Sequence, residues 1–187
     1  MYTSDTFYFP QVYRLLCSLL LVLSITQCAT MKSGNVTDQS PRYSVHFIMM
    51  MECKISIAMT PHIQAITEKY EPFSQFQFIA HFPETFVPDG ADLHKWREDY
   101  RLDLECRVDS SDVQTAALGA TRAPQAIVVD ETTHQIIYSG RINNLFAALG
   151  KRRSQVTDHT LDQILEQITK GKTLKTQTTQ VVGCALN

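Results

Sequence analysis

Cysteines are the residues of this sequence whose type and position point most directly to chemistry. One of them, Cys53, lies between a short apolar block, long enough for one buried strand, and a segment in which apolar residues recur at helical spacing. At such a junction the first amide groups and the dipole of the helix favour a thiolate, the reactive form of the side chain. We therefore predict that Cys53 is a nucleophile with a pKa below the ordinary value of about 8.5. A small buried hydrophobe is the alternative interpretation.

A thiolate that attacks a disulfide or a peroxide needs a second thiol to resolve the adduct. Ser56, three residues after Cys53, has no sulfur and cannot take that role. Cys53 therefore acts as a lone thiol or depends on Cys106 or Cys184.

The segment that follows Gly171 ends in an apolar stretch around Gly183 and Cys184. A disordered tail has little use for apolar side chains, so we expect this end of the chain to dock on the domain. A glycine beside the cysteine permits a close approach of the backbone. The hypothesis is that Cys184 lies near Cys53, either in a disulfide or sharing a metal ion. A buried cysteine that merely anchors the tail is the alternative.

Two thiolates and one imidazole form a ligand set suited to cuprous copper. Cys53 and Cys184, with either His81 or His46, would supply that set, so a soft-metal carrier or chaperone is an alternative function. The chain lacks the C-x-x-x-C motif that such carriers show. The other histidines are predicted to lie on the surface: His62, His94, His134 and His159.

The charge balance narrows the classes of partner. The 187 residues include 17 basic and 19 acidic ones. This balance gives no indication of a nucleic-acid partner or of electrostatic binding to a membrane surface. The length suffices for one domain with a sizeable core and additional segments.

The amino-terminal segment has the pattern of an export signal. Residues 15–25 form an apolar run of eleven, too short to span a bilayer comfortably. We expect residues 1–28 to be a signal of the lipoprotein type with Cys28 as the lipidated residue, residues 29–42 to be a flexible tether, and residues 43–187 to be the folded domain. The protein would then face the periplasm at the cell envelope, held by its lipid. Plain secretion and an uncleaved anchor are the alternatives.

Apolar periodicity and turn residues predict the element order β-α-β-α-β-α-β-β-α. The predicted strands are 45–51, 75–81, 104–108, 126–129 and 135–138. Four helices are predicted. The first has Pro61 in its first turn and ends at Tyr70, and the second spans residues 91–100. The third is capped by Ser110 or Ser111 and runs to Leu118, and the fourth is capped by Thr157 or Asp158 and ends at Gly171. A loop is expected over 82–90.

This order, with Cys53 after the first core strand, resembles the thioredoxin fold. The segment from Cys53 to Ser56 is similar to the C-x-x-C site with serine in the second position, and residues 119–124 resemble the loop that carries the family's cis-proline. The resemblance implies an α/β fold with a central mixed β-sheet flanked by helices. It also implies a cis bond between Ala123 and Pro124, placed beside Cys53.

The carboxyl third resembles a bacterial group of redoxin-domain proteins of the alkyl hydroperoxide reductase/thiol-specific antioxidant class. The similar stretches are 138–144, 148–153 and 182–186. That group generally has a proline where this chain has Lys54, and two acidic residues where it has Asn143 and Asn144. The resemblance implies redox chemistry without a cofactor, on protein thiols and disulfides or on small peroxides. Peroxidase specialisation is disfavoured, since peroxiredoxins carry Thr and Pro where this chain has Met50 and His46.

The sequence therefore predicts an exported, thioredoxin-like thiol–disulfide oxidoreductase with Cys53 as nucleophile. Ser56, Pro124 and Cys184 complete its predicted site. A copper carrier and a binding module that has kept the fold without turnover stay open as alternatives.

Overall fold

The computed structural model describes residues 42–186. The strands are β1 (Tyr43–Ile48), β2 (Phe76–Pro83), β3 (Glu105–Asp109), β4 (Arg122–Ala123), β5 (Gln125–Asp130), β6 (Gln135–Gly140), β7 (Phe146–Ala148), β8 (Lys151–Arg152), β9 (Gln177–Thr178) and β10 (Cys184–Ala185). The helices are α1 (Lys54–Tyr70), α2 (Leu93–Asp99), α3 (Val113–Ala117) and α4 (Thr160–Thr169), with short 3-10 turns at Glu84–Phe86 and Ser110–Asp112. The predicted signal with Cys28, and the predicted tether except Arg42, lie outside the described residues.

Six strands form one mixed sheet in the order β3-β2-β1-β5-β6-β9. The strands β1, β2 and β3 are parallel, because long crossovers containing α1 and α2 connect them. β5 is antiparallel to β1, and β6 is antiparallel to β5. The predicted α/β fold with a central mixed sheet and flanking helices is therefore confirmed.

The central strand β1 is buried along its whole length because both faces of the sheet are covered. Val45 and Phe47 belong to the main apolar cluster, together with residues of α1 and α4. Ser44 and His46 alternate with them and lie on the opposite face, where hydrogen bonds satisfy their polar atoms. A strand with both faces buried is typical of a parallel sheet.

Helix α1 contains Pro61 well inside the helix, so the prediction that this proline lies in the first turn is wrong. Proline has no amide proton and cannot donate to the carbonyl of Ile57, four residues before it. The hydroxyl of Thr60 donates to that carbonyl instead, at 2.9 Å. This local substitution lets the helix continue to Tyr70.

Helix α4 has the predicted apolar stripe, with Leu161, Ile164, Leu165 and Ile168 all buried. The predicted cap at Thr157 or Asp158 is wrong, because the helix begins at Thr160 with His159 at the cap position. The backbone amides of Thr157 and Asp158 instead donate to the side-chain oxygen of Asn144.

Other predicted boundaries also differ from the structure, and in three cases the cause is visible. β1 ends at Ile48, since a turn follows that leads into Cys53. β2 runs to Pro83, so the expected loop from residue 82 begins later. The predicted serine cap before α3 is wrong, because the carboxylate of Asp109 accepts the amides of Gln114 and Thr115.

The C-terminal tail (residues 172–186) is part of the fold and contains two short strands that the predicted element order, which ends with the helix before Gly171, does not include. β9 joins the edge of the main sheet beside β6, and β10 pairs with β4. The prediction that the tail docks is confirmed. None of the helices within residues 42–186 is long and apolar enough to cross a membrane.

Candidate functional site

Cys53 occupies the N-cap position of α1, as predicted. Its backbone is extended, and its carbonyl accepts the amide of Ile57 at 3.0 Å, which closes the first helical turn. The side chain is only 4% exposed. Its sulfur accepts no capping hydrogen bond from the first turn. The lowered pKa of the free thiol therefore stays a prediction for the reduced protein.

Cys53 and Cys184 form a disulfide that joins residues 131 positions apart in the sequence. Their Cα atoms are 6.4 Å apart, within the range that a disulfide requires. The hypothesis that Cys184 lies near Cys53 is confirmed in its disulfide form. Cys184 is partly exposed, whereas Cys53 is buried.

The Ala123–Pro124 peptide bond is cis, as the resemblance predicted. Ala123 is fully buried, and its carbonyl oxygen lies 3.6 Å from the sulfur of Cys53. A disulfide sulfur carries no proton, so this approach is a packing contact and not a hydrogen bond in the oxidised protein. The loop before Pro124 therefore packs against the sulfur of Cys53.

The tail reaches the site as a strand. β10 runs antiparallel to β4, with Cys184 opposite Ala123 and Ala185 opposite Arg122. The guanidinium of Arg122 donates to the carbonyl of Gly183 at 3.1 Å. The sequence indicates a close approach of Gly183 and Cys184 to the domain but does not predict this pairing, because a two-residue strand is too short to show a periodic pattern.

Hydrogen bonds hold the turn that precedes Cys53. The amide of Met49 donates to the carbonyl of His81 at 2.9 Å, and the indole of Trp96 donates to the carbonyl of Met51 at 3.0 Å. Ser56 is fully buried, and its hydroxyl accepts the amide of Met50 at 3.2 Å. The hydroxyl of Ser56 therefore stabilises the backbone turn that leads into Cys53. Trp96 itself is buried in the core.

Cys106 is not part of this arrangement. It lies on the edge strand β3 as a free thiol, and burial raises its pKa to about 11. Of the three cysteines predicted to fall in the domain, the structure joins Cys53 to Cys184 and leaves Cys106 apart.

The alternative metal set is not assembled. The imidazole nitrogens of His46 and His81 are 2.9 Å apart and hydrogen-bond each other, while the sulfurs of Cys53 and Cys184 bond each other. Within residues 42–186, no three His, Cys, Asp or Glu side chains are grouped so that they could hold a metal ion. Cys53, Cys184 and His81 are therefore not brought together as one ligand set.

No model of a known protein family matches the chain, and no curated protein matches it. Solved structures do match. A hypothetical protein from Sinorhizobium meliloti is 16% identical, with a TM-score of 0.66 over 79% of this chain and 80% of that chain. An uncharacterized conserved protein from Geobacillus kaustophilus is 15% identical, with a TM-score of 0.65 over 80% of this chain and 78% of that chain.

A secreted disulfide oxidoreductase from Mycobacterium tuberculosis is more distant, with 13% identity and a TM-score of 0.41 over 51% of this chain and 66% of that chain. That likeness is too low to carry an argument. The fold of the present chain is thioredoxin-like, and at these identities the likeness extends to the fold alone. The finer resemblance to the alkyl hydroperoxide reductase/thiol-specific antioxidant class stays a prediction.

Proposed function

We propose that this protein is a thiol–disulfide oxidoreductase in which Cys53 attacks and Cys184 resolves. The observation that supports it is the disulfide between a cysteine at a helix N-terminus and a cysteine on the C-terminal tail. Exposed disulfides are in general the ones that exchange readily, and Cys184 is partly exposed. Cys106, which has a raised pKa, plays no part.

The proposed reaction has two exchanges. The Cys53 thiolate attacks one sulfur of a client disulfide, whose S–S bond breaks, and the other client sulfur leaves as a thiolate. The Cys184 thiolate then attacks the Cys53 sulfur of the mixed disulfide, and the second client sulfur leaves. Two electrons pass to the client and the Cys53–Cys184 disulfide remains. The reverse sequence oxidises a client dithiol.

Each part of the site has a role in these steps. The amide dipoles of the 17-residue helix α1 favour negative charge on Cys53. The backbone of β4, which has the tail as its only strand partner within residues 42–186, offers pairing to an extended segment of a client protein. A protein thiol or disulfide suits such an edge better than a peroxide, which has no backbone to pair.

A single-turnover experiment tests the proposal. Every protein compared carries Cys17→Ser and Cys28→Ser, so that thiols outside the domain do not add to the count. The reduced protein is mixed with bis(2-hydroxyethyl) disulfide, and the released thiols and the protein mass are measured. The wild-type protein is expected to release two thiols per chain and to form the internal disulfide. Cys184→Ser should release one thiol and keep a mercaptoethanol adduct on Cys53, while Cys53→Ser should release none.

Cys106→Ser is the matched control and should behave as the wild-type protein does. Thiol release from Cys53→Ser at the wild-type rate would remove Cys53 as the nucleophile. Release of both thiols by Cys184→Ser would remove Cys184 as the resolving residue.

We also propose that the protein is exported and held at the membrane by a lipid on Cys28, facing the periplasm. The apolar run of residues 15–25 ahead of Cys28 supports this, and a disulfide persists most readily in an oxidising compartment. Labelled palmitate should be incorporated by the wild-type protein and not by Cys28→Ala. Equal incorporation, or none in either, would contradict the lipid anchor.

A further inference from the structure

The tail contributes one apolar side chain to the lining of a small recess. Val182, two residues before Cys184, is partly buried and packs against the main apolar cluster. The apolar residues that line the recess with it are Ile55, Met59, Pro124, Ile142 and Phe146. About 20 Å³ stays unfilled beside it. Arg141 and Asn143 complete the lining. Because Val182 packs against the apolar cluster, its position in the tail favours an apolar side chain.

The next residue of the tail has no room for a side chain. Gly183 is buried, and a Cβ atom at this position would overlap the carbonyl group of Ala123, with the carbonyl carbon only 2.7 Å away. The carbonyl of Gly183 also accepts the bond from the guanidinium of Arg122. Any segment in the same register therefore needs a small residue directly before its cysteine.

Few contacts other than the disulfide hold this part of the tail. β10 is two residues long, and most of the tail from Lys172 to Thr178 is exposed. When the disulfide is reduced, the contacts that remain here are the two-residue ladder, the bond from Arg122, the bond from the amide of Leu186 to the carbonyl of Thr121, and the packing of Val182. A short ladder of this kind exchanges readily with another extended segment. Because the tail is covalently joined to the domain, its local concentration stays high and it can pair again with β4.

We propose that Val182-Gly183-Cys184 is an internal copy of the segment that the reduced protein selects in its clients: an apolar residue, a small residue and a cysteine. This inference rests on the proposed function and adds its substrate class. The apolar side chain of the client takes the place of Val182 beside the recess, and the small residue of the client lies against Ala123. When the tail pairs again with β4, it displaces the client strand as Cys184 displaces the client sulfur.

The test uses the full chain with Cys17→Ser, Cys28→Ser, Gly183→Val and Cys184→Ser combined. The tail can then neither pair closely nor form the disulfide, and Cys53 has only the slowly reacting Cys106 as a competing thiol. The probes are peptides whose cysteine is activated as a thionitrobenzoate disulfide: Gln-Val-Gly-Cys-Ala-Leu, the same peptide with serine for its valine, and the same peptide with valine for its glycine. Release of thionitrobenzoate gives the rate of attack by Cys53.

The Val-Gly-Cys peptide is expected to react at least about tenfold faster than either altered peptide, because each loses a contact that orients the strand. In the variant with Cys184→Ser but without Gly183→Val, the tail still pairs with β4 and competes with the peptide. The difference in rate between the Val-Gly-Cys peptide and the altered peptides should therefore be smaller. Equal rates for the three peptides would overturn the inference.

Reaction with bis(2-hydroxyethyl) disulfide separates this inference from the proposed function. If Cys53 attacks the small disulfide but does not distinguish the peptides, the substrate class is wrong and the exchange reaction stands. If Cys53 attacks neither, the proposed function itself fails, and this inference with it.

The wild-type protein gives a second test that needs no substitution. In the oxidised structure the amide of Leu186 donates to the carbonyl of Thr121 at 3.1 Å. Its hydrogen exchange is expected to be at least about tenfold faster after reduction, because the short ladder then opens. Equal protection in the reduced protein would show that the tail does not leave, and would overturn the inference.

Discussion

The hydroxyl of Thr179 lies 2.8 Å from the hydroxyl of Tyr138 and joins the tail to strand β6. Tyr138 donates its own proton to the carbonyl of Arg141 at 2.6 Å, so Thr179 is the donor between the two hydroxyls. Thr179 also accepts the amide of Arg141 at 3.0 Å. Burial raises the pKa of Tyr138 to about 12, which keeps it protonated at neutral pH. This junction fixes the tail before it turns toward Cys53.

Thr179→Val should therefore destabilise the fold. It removes both bonds of the threonine hydroxyl and leaves the amide of Arg141 without its acceptor. We expect a loss of about 1–3 kcal/mol in the free energy of unfolding, measured by urea denaturation of the reduced protein. Thr178→Val, on the exposed neighbouring residue, is the control and should change it by less than about 0.5 kcal/mol. Equal effects would show that the junction contributes nothing specific.

A line of polar side chains crosses the second face of the sheet. Ser44 donates to the carboxylate of Glu131, so its oxygen accepts from Nε2–H of His46, at 2.8 Å. The Nδ1 atom of His46 is then free to accept from Nε2–H of His81, at 2.9 Å. Burial, with the charges of His81 and Arg107, lowers the pKa of His46 to about 4. Burial also lowers the pKa of His81.

Stability should consequently fall as the pH falls below the ordinary histidine pKa. Between about pH 6.5 and pH 4 the unfolded chain binds a proton at His46 that the folded protein does not. The contribution of neutral His46 to the free energy of unfolding is therefore complete above about pH 6.5. It falls by about 2–3 kcal/mol as the pH is lowered to about 4. His46→Gln should reduce the difference in unfolding free energy between pH 7 and pH 4.5 by about that amount.

His94→Gln is the matched control, because that side chain is 75% exposed. Its pH dependence should follow the wild-type curve. If His46→Gln follows the same curve as the control, His46 is not the group that titrates.

The thiol of Cys106 should react slowly. Its pKa is raised to about 11 by burial, so its thiolate fraction at pH 8 is about two hundredfold lower than that of an ordinary cysteine, whose pKa is about 8.5. Labelling by iodoacetamide, followed by peptide mass spectrometry, should be slower in the folded protein by about that factor. The urea-unfolded protein provides the reference. A folded rate within about tenfold of the unfolded rate would contradict the prediction.

Asn144 holds the loop that leads into α4. Its side-chain oxygen accepts the amides of Thr157 and Asp158, both at 3.0 Å, and its amide donates to the hydroxyl of Thr157 at 2.7 Å. A carboxylate would accept the same two amides. Asn144→Ala should therefore lower the unfolding free energy by about 1–2 kcal/mol, and Asn144→Asp by less.

Urea denaturation of both variants tests this role. Gln155→Ala, on an exposed residue of the same loop, is the control and should be nearly neutral. If Asn144→Asp costs as much as Asn144→Ala, the side-chain oxygen is not what the loop requires.

The sequence by itself determined the elements with a strong local signal. The apolar run before Cys53, the alternation after residue 75 and the stripe of α4 all have the periodicity of the element that forms there. Because periodicity depends only on neighbours along the chain, these elements and their order were predictable. The position of Cys53 at the start of α1 followed from the same local pattern, and the resemblance supplied the cis bond before Pro124.

Only the tertiary structure decided which distant groups meet. The sequence left Cys53 with three choices, namely a lone thiol, Cys106 or Cys184, and it left disulfide, shared metal and mere anchor open for Cys184. The pairing of β10 with β4 selects the Cys53–Cys184 disulfide, while β3 carries Cys106 away. The register between β1 and β2 likewise brings His46 to His81. Such pairings depend on the path of the whole chain, and short strands such as β4 and β10 have too few residues for a local pattern to reveal them.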